Sequence, residues 1–313
     1  VSRFTANQWA LILGGSSGFG LASAKKLAAS GMSVAIVHRD RRGAMAAIEA
    51  EFESIRAGGG ALLTFNVDAL ASEPRATVLE ALTERMGREG RVRVLLHSIA
   101  FGNLKLLAPM PPGPSPADRA RARLATELGI SEERLAAALE SAAADSDALA
   151  DAAWPARYDS STVLEDEDFA RTIHAMGTSL ATWTQDLLAR GLFGGDARVL
   201  GLTSEGNEVA WRGYAAVAAA KVALESVTRA MAVELAPYGI RANVIQAGVS
   251  DTPALRLIPG SARMKANARR RNPFGRLTTP EDVADVVYLL STDEARWING
   301  TIVRADGGEH VAG

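Results

Sequence analysis

The run Leu11-Ile12-Leu13-Gly14-Gly15-Ser16-Ser17-Gly18-Phe19-Gly20 decides how the rest of this chain is read. An apolar strand enters it and a helical pattern, LASAKKLAAS, leaves it. Glycines at 14, 18 and 20 let the backbone turn sharply, approach a pyrophosphate closely and pack the helix onto the strand. The N-terminus of that helix supplies amide donors and positive potential. Gly14, Ser16, Ser17, Gly18, Phe19 and Gly20 are therefore candidate dinucleotide-binding residues. The competing reading is a tight strand-to-helix turn in an unrelated sheet protein.

Working outward, short apolar runs alternate with amphipathic stretches: SVAIVHR, RRGAMAAIEAEFESIRAGGG, ALLTFNVD, EPRATVLEALTERMGREG and VRVLLHSIAF. Strand alternating with helix at this spacing builds right-handed crossovers and a parallel sheet covered on both faces. Five prolines, at 109, 111, 112, 114 and 116, interrupt the rhythm and suit a stiff surface connection. Behind them Leu124 and Leu128, then Leu135 and Leu139, fall four apart on one helical face, and Ser131 before Glu132 and Glu133 marks a helix start. These features predict a helical hairpin inserted over about 105–160. From about Leu164 the pattern resumes: a helix through Asp186, the strand ARVLGLTS, a long helix over 214–235, the strand IRANVIQAG, the helix PEDVADVVYLLS and the strand TIVRADGG. The expectation is an α/β fold: one Rossmann-type, doubly wound parallel sheet of about seven strands in a single domain over 1–313, with a helical insertion.

Composition narrows the function. The 34 basic and 36 acidic side chains nearly cancel, so no net field draws the protein to nucleic acid or an anionic membrane. A small molecule is the default partner. With no cysteine, thiolate nucleophiles, disulfides and cysteine-ligated metals are excluded. No spacing of His, Asp and Glu resembles a metal site. The opening residues lack a signal-peptide pattern and no stretch holds eighteen uninterrupted apolar residues, which gives a cytoplasmic expectation.

The end of the second strand speaks to the cofactor. A carboxylate there would accept from the adenosine ribose and repel a 2'-phosphate. Here His38 and Arg39 follow the strand, with Arg41 and Arg42 behind, so NADPH is expected over NADH, with Asp40 pulling the other way. Asp68, after the strand ALLTFNV, is placed to accept from the adenine amino group or to form a turn.

Tyr214 lies seven residues before Lys221, and Ser204 ends a strand ten residues before Tyr214. With the glycine loop, the run Gln246-Ala247-Gly248-Val249-Ser250-Asp251-Thr252 and Asp306-Gly307-Gly308, these residues resemble the short-chain dehydrogenase/reductase family over 8–104 and about 164–310. Most members place the tyrosine four before the lysine, where this chain has Val217; Tyr-x6-Lys is similar to the enoyl-acyl-carrier-protein reductase branch. His97-Ser98-Ile99-Ala100-Phe101 resembles the same branch, whereas Ser204 and the form of the glycine loop follow the ordinary family. His174 stands where many relatives have a relay asparagine, so that relay is not carried over. The resemblance implies that Tyr214, Lys221 and Ser204 are catalytic, and that Ser98, Ile99, Ala100, Thr203, Gly248, Val249 and Thr252 line the cofactor with Lys221. It also implies a homotetramer; the Leu/Val/Ala-rich face over 222–235 suits either a subunit contact or the core.

Spacing adds a physical argument. Seven helical residues turn through about 700°, so Tyr214 and Lys221 share a stripe roughly 10 Å apart along the axis, against about 6 Å for a four-residue step. In a ketone the carbon that takes hydride bears the oxygen that becomes negative; in an enoyl thioester the β-carbon is three bonds from it. A set-back phenol suits the second case. Ser204 either adds a donor to that oxygen or simply ends the strand. The segment 253–275, within a substrate cover of about 250–275, offers Leu255, Leu257, Ile258 and Met264 for an acyl tunnel. Its Arg263, Lys265, Arg269, Arg270 and Arg271 suit an acidic carrier protein, a phosphopantetheine phosphate, or solvent alone. The leading expectation is NADPH-dependent reduction of an enoyl thioester, carried by acyl carrier protein or coenzyme A. The alternatives are a 3-oxoacyl or other carbonyl reductase and an NADPH-sensing binding module. His97 is expected to pack at a strand end, and the acidic run 165–168 to open a helix.

Overall fold

The computed structural model of the protein describes residues 3–58, 60–154, 156–159 and 161–312. Its strands are β1 (Gln8–Leu13), β2 (Ser33–His38), β3 (Leu62–Asn66), β4 (Arg91–His97), β5 (Phe193–Ser204), β6 (Ile240–Ala247) and β7 (Ile302–Ala305). They form one parallel sheet in the order β3-β2-β1-β4-β5-β6-β7. The helices are α1 (Gly18–Ala29), α2 (Met45–Arg56), α3 (Ser72–Met86), α4 (Pro116–Leu128), α5 (Glu132–Asp145), α6 (Ala150–Ala153), α7 (Asp166–Ile173), α8 (Ser179–Ala189), α9 (Ala215–Glu234), α10 (Pro253–Arg256), α11 (Ser261–Arg271) and α12 (Pro280–Ser291).

The central strands are apolar throughout because both faces are covered. On one face Leu11, Leu95 and Val199 pack with Leu79 of α3, Trp183 of α8 and Leu224 of α9. On the other, Ile12, Ile36 and Leu200 pack with Leu27 of α1, Phe52 of α2 and Val287 of α12. The chain runs outward from β1 to β3 and returns to β4 on the opposite side of β1. Ligands of such sheets bind at this switch, beyond the carboxyl ends of the strands.

Two arginines inside the strands carry no apolar pattern and were not anticipated. Arg198 is fully buried: its Nε donates to Leu290 O at 2.8 Å and its Nη2 to Thr292 O at 3.0 Å. Arg93 donates to Ser291 O, and both pair with Asp196. They satisfy the open carbonyls at the C-terminus of α12, which explains cations at that depth.

The insertion is helical, as its capping residues indicate. Ser115 and Asp118 form a capping box on α4, Ser131 accepts from Arg134 N on α5, and Gly129 takes a left-handed φ of 64° between them. Leu135 turns inward at 5% exposure, but Leu124 and Leu128 remain 41% and 57% exposed. The leucine face of α4 is therefore not its packing face; the face bearing Ala125, 2% exposed, is. A bridge between Leu106 and Val163 closes the base of the insertion.

After α7, whose first turn is capped by Glu165 and Asp168, the helix widens into a π-helical turn at His174–Thr178 before α8. A Cβ on Gly177 would lie 2.8 Å from Ala220 O, so this turn rides directly on α9. No helix among the described residues is long and apolar enough to cross a membrane.

Candidate active site

A cleft of about 600 Å3 opens at the switch between β1 and β4. Every catalytic and cofactor-binding residue that the family resemblance, the glycine loop and the strand ends suggested lines it, from Gly14, Ser16, Ser17, Gly18 and Phe19 to Gly248, Val249 and Thr252, except Gly20; Arg41, Arg42 and the basic residues of the cover do not. Gly20 lies behind the loop, where a Cβ would come within 2.2 Å of Gly14 O; it sets the packing of α1 rather than touching the cleft. Gly14, at φ 84°, sits against β4, and a Cβ there would meet Ser98 O at 2.5 Å. The loop is thus a close-fitting cradle backed by the N-terminal amides of α1, which fits a pyrophosphate.

At the far end of β2 the side chains are already engaged. His38 is buried, with Nδ1 2.8 Å from Asp40 Oδ2. Arg39 donates from Nη1 to Asp68 Oδ2 at 2.9 Å, and its guanidinium lies 4.6 Å from the centre of the Phe101 ring. Asp68 also accepts the Leu70 amide at 2.9 Å, the turn geometry that was its alternative role. Of His38, Arg39, Asp40 and Asp68, Arg39 is half-exposed with donors left over; Arg41 and Arg42 beyond it are exposed and do not line the cleft.

At the other end stand the phenol, the serine and the lysine. Tyr214 caps α9 instead of lying in its first turn, with φ −115° and ψ 3°. Its Oη is 3.3 Å from Ser204 Oγ, and its ring meets Trp211 edge to face at 5.4 Å. Burial holds the phenol above its ordinary pKa, so it stays a proton donor at neutral pH. Lys221 Nζ donates to Leu202 O at 2.8 Å. Burial lowers its pKa to about 8, with Glu225 opposing the fall, so the ammonium form prevails at pH 7.

His97 falls where packing predicts, and His310, near the end of the chain, lies 3.2 Å from Glu208 Oε2. His97 is fully enclosed beside β5, its Nε2 2.8 Å from Ser179 Oγ, and burial pushes its pKa down to about 3. It is a neutral packing residue. His174 sits in the π-helical turn with Nδ1 3.5 Å from Thr178 Oγ1.

Leu255, Leu257, Ile258 and Met264 line the cleft as expected, and Leu104, Met176, Trp211 and Val217 complete its apolar end. The basic residues of the cover behave differently from the docking expectation. Arg263 pairs with Asp151, Arg269 with Asp147, Lys265 with Asp251, and Arg271 with Glu205 and Glu309. Their acidic partners belong to this chain. Two of those pairs bind α11 to the insertion, which thereby braces the cover from behind. Arg269→Ala is expected to raise the Michaelis constant for an acyl substrate by about two- to fivefold, the range for a half-exposed pair, with kcat little changed. Asp147→Ala should match it, and the double variant should add nothing, because both remove one interaction; additive losses in steady-state kinetics would contradict the brace.

Sequence reasoning missed Glu205, Trp211 and Glu309. The Glu309 carboxyl, 1% exposed, accepts the Val249 amide at 3.1 Å, and burial raises its pKa. Adjacency to Ser204 and Tyr214 could have flagged the first two; nothing local marks the third.

A sheet that opens its crevice at the switch point, with a protonated phenol and an ammonium lining one cleft there, belongs to the class of oxidoreductases that use nicotinamide dinucleotides. Residues 131–310, more than half the chain, match the family model described as Enoyl-(Acyl carrier protein) reductase, and residues 8–108 match that described as short chain dehydrogenase. The chain belongs to the short-chain dehydrogenase/reductase family. Over 135 residues it is 36% identical to enoyl-acyl-carrier-protein reductase (NADH) FabI of Aquifex aeolicus (strain VF5), covering 43% of this chain and 50% of that one. The chain thus spans about half the length of the first curated relatives it matches. An uncharacterized oxidoreductase of Methylorubrum extorquens is 26% identical over 96% of both chains. The solved structure of the Aquifex aeolicus enzyme superposes with a TM-score of 0.71 at 24% identity, over 98% of this chain and 97% of that one.

Proposed function

We propose that this protein is a single-domain, NADPH-dependent reductase of the 2,3 double bond of an enoyl thioester. The observation that carries the reading is the place of Tyr214: it caps α9 seven residues before Lys221, with its hydroxyl at the apolar end of the cleft. When bound, a reduced nicotinamide dinucleotide supplies hydride. The loop over 14–20 and the α1 amides hold its pyrophosphate, Arg39 offers its free donors to a 2'-phosphate, and Ser98, Ile99, Ala100, Thr203, Gly248, Val249 and Thr252 line its path. Lys221, with one donor spent on Leu202 O, holds ribose hydroxyls with the others and adds positive potential. Tyr214 donates a hydrogen bond to the thioester oxygen as enolate charge develops there. A proton from solvent then completes the α-carbon.

The apolar lining beyond Tyr214 supports an acyl chain as the substrate. With the basic cover residues internally paired, a carrier protein would meet Arg270, whose partner is Asn267, more readily than its neighbours. The same reading makes the enzyme a cytoplasmic homotetramer; Val222 and Val233, 48% and 75% exposed on the outer side of α9, offer apolar surface for a subunit contact.

A second reading, reduction of a 3-oxoacyl thioester, is favoured by the approach of Ser204 Oγ to Tyr214 Oη at 3.3 Å, which places two hydroxyls together in the cleft. A dinucleotide-sensing module gives no reason for Ser204, Tyr214 and Lys221 to meet in one cleft. The assay is NADPH oxidation with crotonyl thioester, with acetoacetyl thioester and with neither, repeated with NADH. Consumption with crotonyl thioester and preference for NADPH are expected. Consumption with acetoacetyl thioester alone would establish the second reading, and none with either would leave the sensor.

A further inference from the structure

Three successive residues at the end of β5 are each held by α9 or its cap. Leu202 O accepts from Lys221 Nζ at 2.8 Å, Thr203 Oγ1 donates to Glu225 Oε1 at 2.5 Å, and Ser204 Oγ meets Tyr214 Oη at 3.3 Å. The middle tie involves a residue outside the catalytic set. Glu225 is 8% exposed, does not line the cleft, and also accepts from Asn207 Nδ2 at 2.6 Å, in the turn that follows Ser204. It follows Lys221 by four residues on the same face of α9, about 6 Å along the axis.

An acid at this depth is costly, and stability alone would be as well served by an apolar side chain of the same volume. Its hydrogen bonds brace Thr203 and Asn207 on both sides of Ser204, and it lies one helical turn from the buried Lys221, with no direct ion pair between the two among the described residues. We propose that Glu225 is a positioning residue of this reductase: its carboxylate fixes the end of β5 and the following turn against α9, and serves as the counter-charge of the Lys221 ammonium. The proposal rests on Lys221 acting as the charged, ribose-holding group.

Other titratable groups near Lys221 leave the counter-charge role to Glu225. His97 on β4 is neutral at any working pH, since burial holds it at about 3. Tyr214 is protonated for the same reason. Glu205, after β5, is paired with Arg271, and His174 in the π-helical turn contacts Thr178. Burial drives Lys221 down to about 8 even with the glutamate present, so loss of the negative charge should carry it lower.

Glu225→Gln keeps the shape and an acceptor for Thr203 while removing the charge. The chain has five lysines, at 25, 26, 105, 221 and 265, so 13Cε-lysine NMR of the dinucleotide-free protein can follow Lys221, assigned with Lys221→Arg. The Lys221 titration midpoint is expected to fall by about one pH unit in Glu225→Gln, the low end for removal of a neighbouring opposite charge. The alkaline limb of kcat, and of dinucleotide binding followed by nicotinamide fluorescence, should move with it, and Glu225→Asp should restore the midpoint toward wild type. A midpoint unchanged in Glu225→Gln, even with lower thermal stability, overturns the proposal, as does an equal shift in Glu225→Asp. Because the midpoint is read without acyl substrate, a shift in a protein that reduces no thioester would uphold Glu225 and sink only the enoyl reading.

Discussion

Tyr214→Phe is expected to lower kcat with the productive thioester by about 10²- to 10³-fold, the loss that follows removal of one donor to a developing oxyanion. Dinucleotide affinity should stay nearly constant, because the ring still packs against Trp211 and the phenol touches neither the glycine loop nor Lys221 in the contacts described. The split is informative. A variant that loses turnover and dinucleotide affinity together would mean that the ring shapes the cleft and that its hydroxyl has no special part. Ser204→Ala sets the scale for comparison: if the two hydroxyls serve one oxygen, the double variant should lose less than the product of the single losses, because the groups act as a unit. Stopped-flow measurement of the chemical step, with fluorescence titration of NADPH, separates these outcomes.

Gly20→Ala is expected to abolish dinucleotide binding and to lower stability by about 3 kcal/mol, the upper part of the range for overpacking. In a protein of this size that is a fall in Tm of roughly 5 °C. The methyl group would lie 2.2 Å from Gly14 O and 3.0 Å from Gly15 Cα, atoms of backbone that cannot swing aside. Relief would come only by lifting α1 from the loop, which withdraws the amides meant for the pyrophosphate. Gly43 is the control: a Cβ there meets nothing within 4 Å, so Gly43→Ala should leave both Tm and affinity near wild type. Equal, small effects in the two variants, measured by calorimetry and titration, would show that the loop has slack the structure does not display.

Much of the fold was readable because it is written in local periodicity. Apolar runs of five or six residues, each followed by an amphipathic stretch, can bury both faces only as a parallel sheet between helices, and the glycine spacing marked where its crevice opens. Caps were equally local: Ser131 and the acids of 165–168 begin helices as their side-chain chemistry requires. Prediction by stripe failed on α4, where leucines four apart suggested a buried face that Ala125 supplies instead. The basic run of the cover misled in the same way. A sequence shows that arginines are present; it does not show that Asp147 and Asp151, more than a hundred residues earlier, stand opposite two of them.

Spacing along the chain was enough to read the doubly wound sheet, the family resemblance, and a tyrosine and lysine that line one cleft, because each is written within or between successive strand-and-helix units. The folded chain was needed to show which charges are already neutralised, why Arg93 and Arg198 can lie inside a sheet, and that Glu205 and Glu309 line the cleft. Those contacts join residues distant along the chain, and their energy comes from burial that exists only once the helices have closed on the sheet.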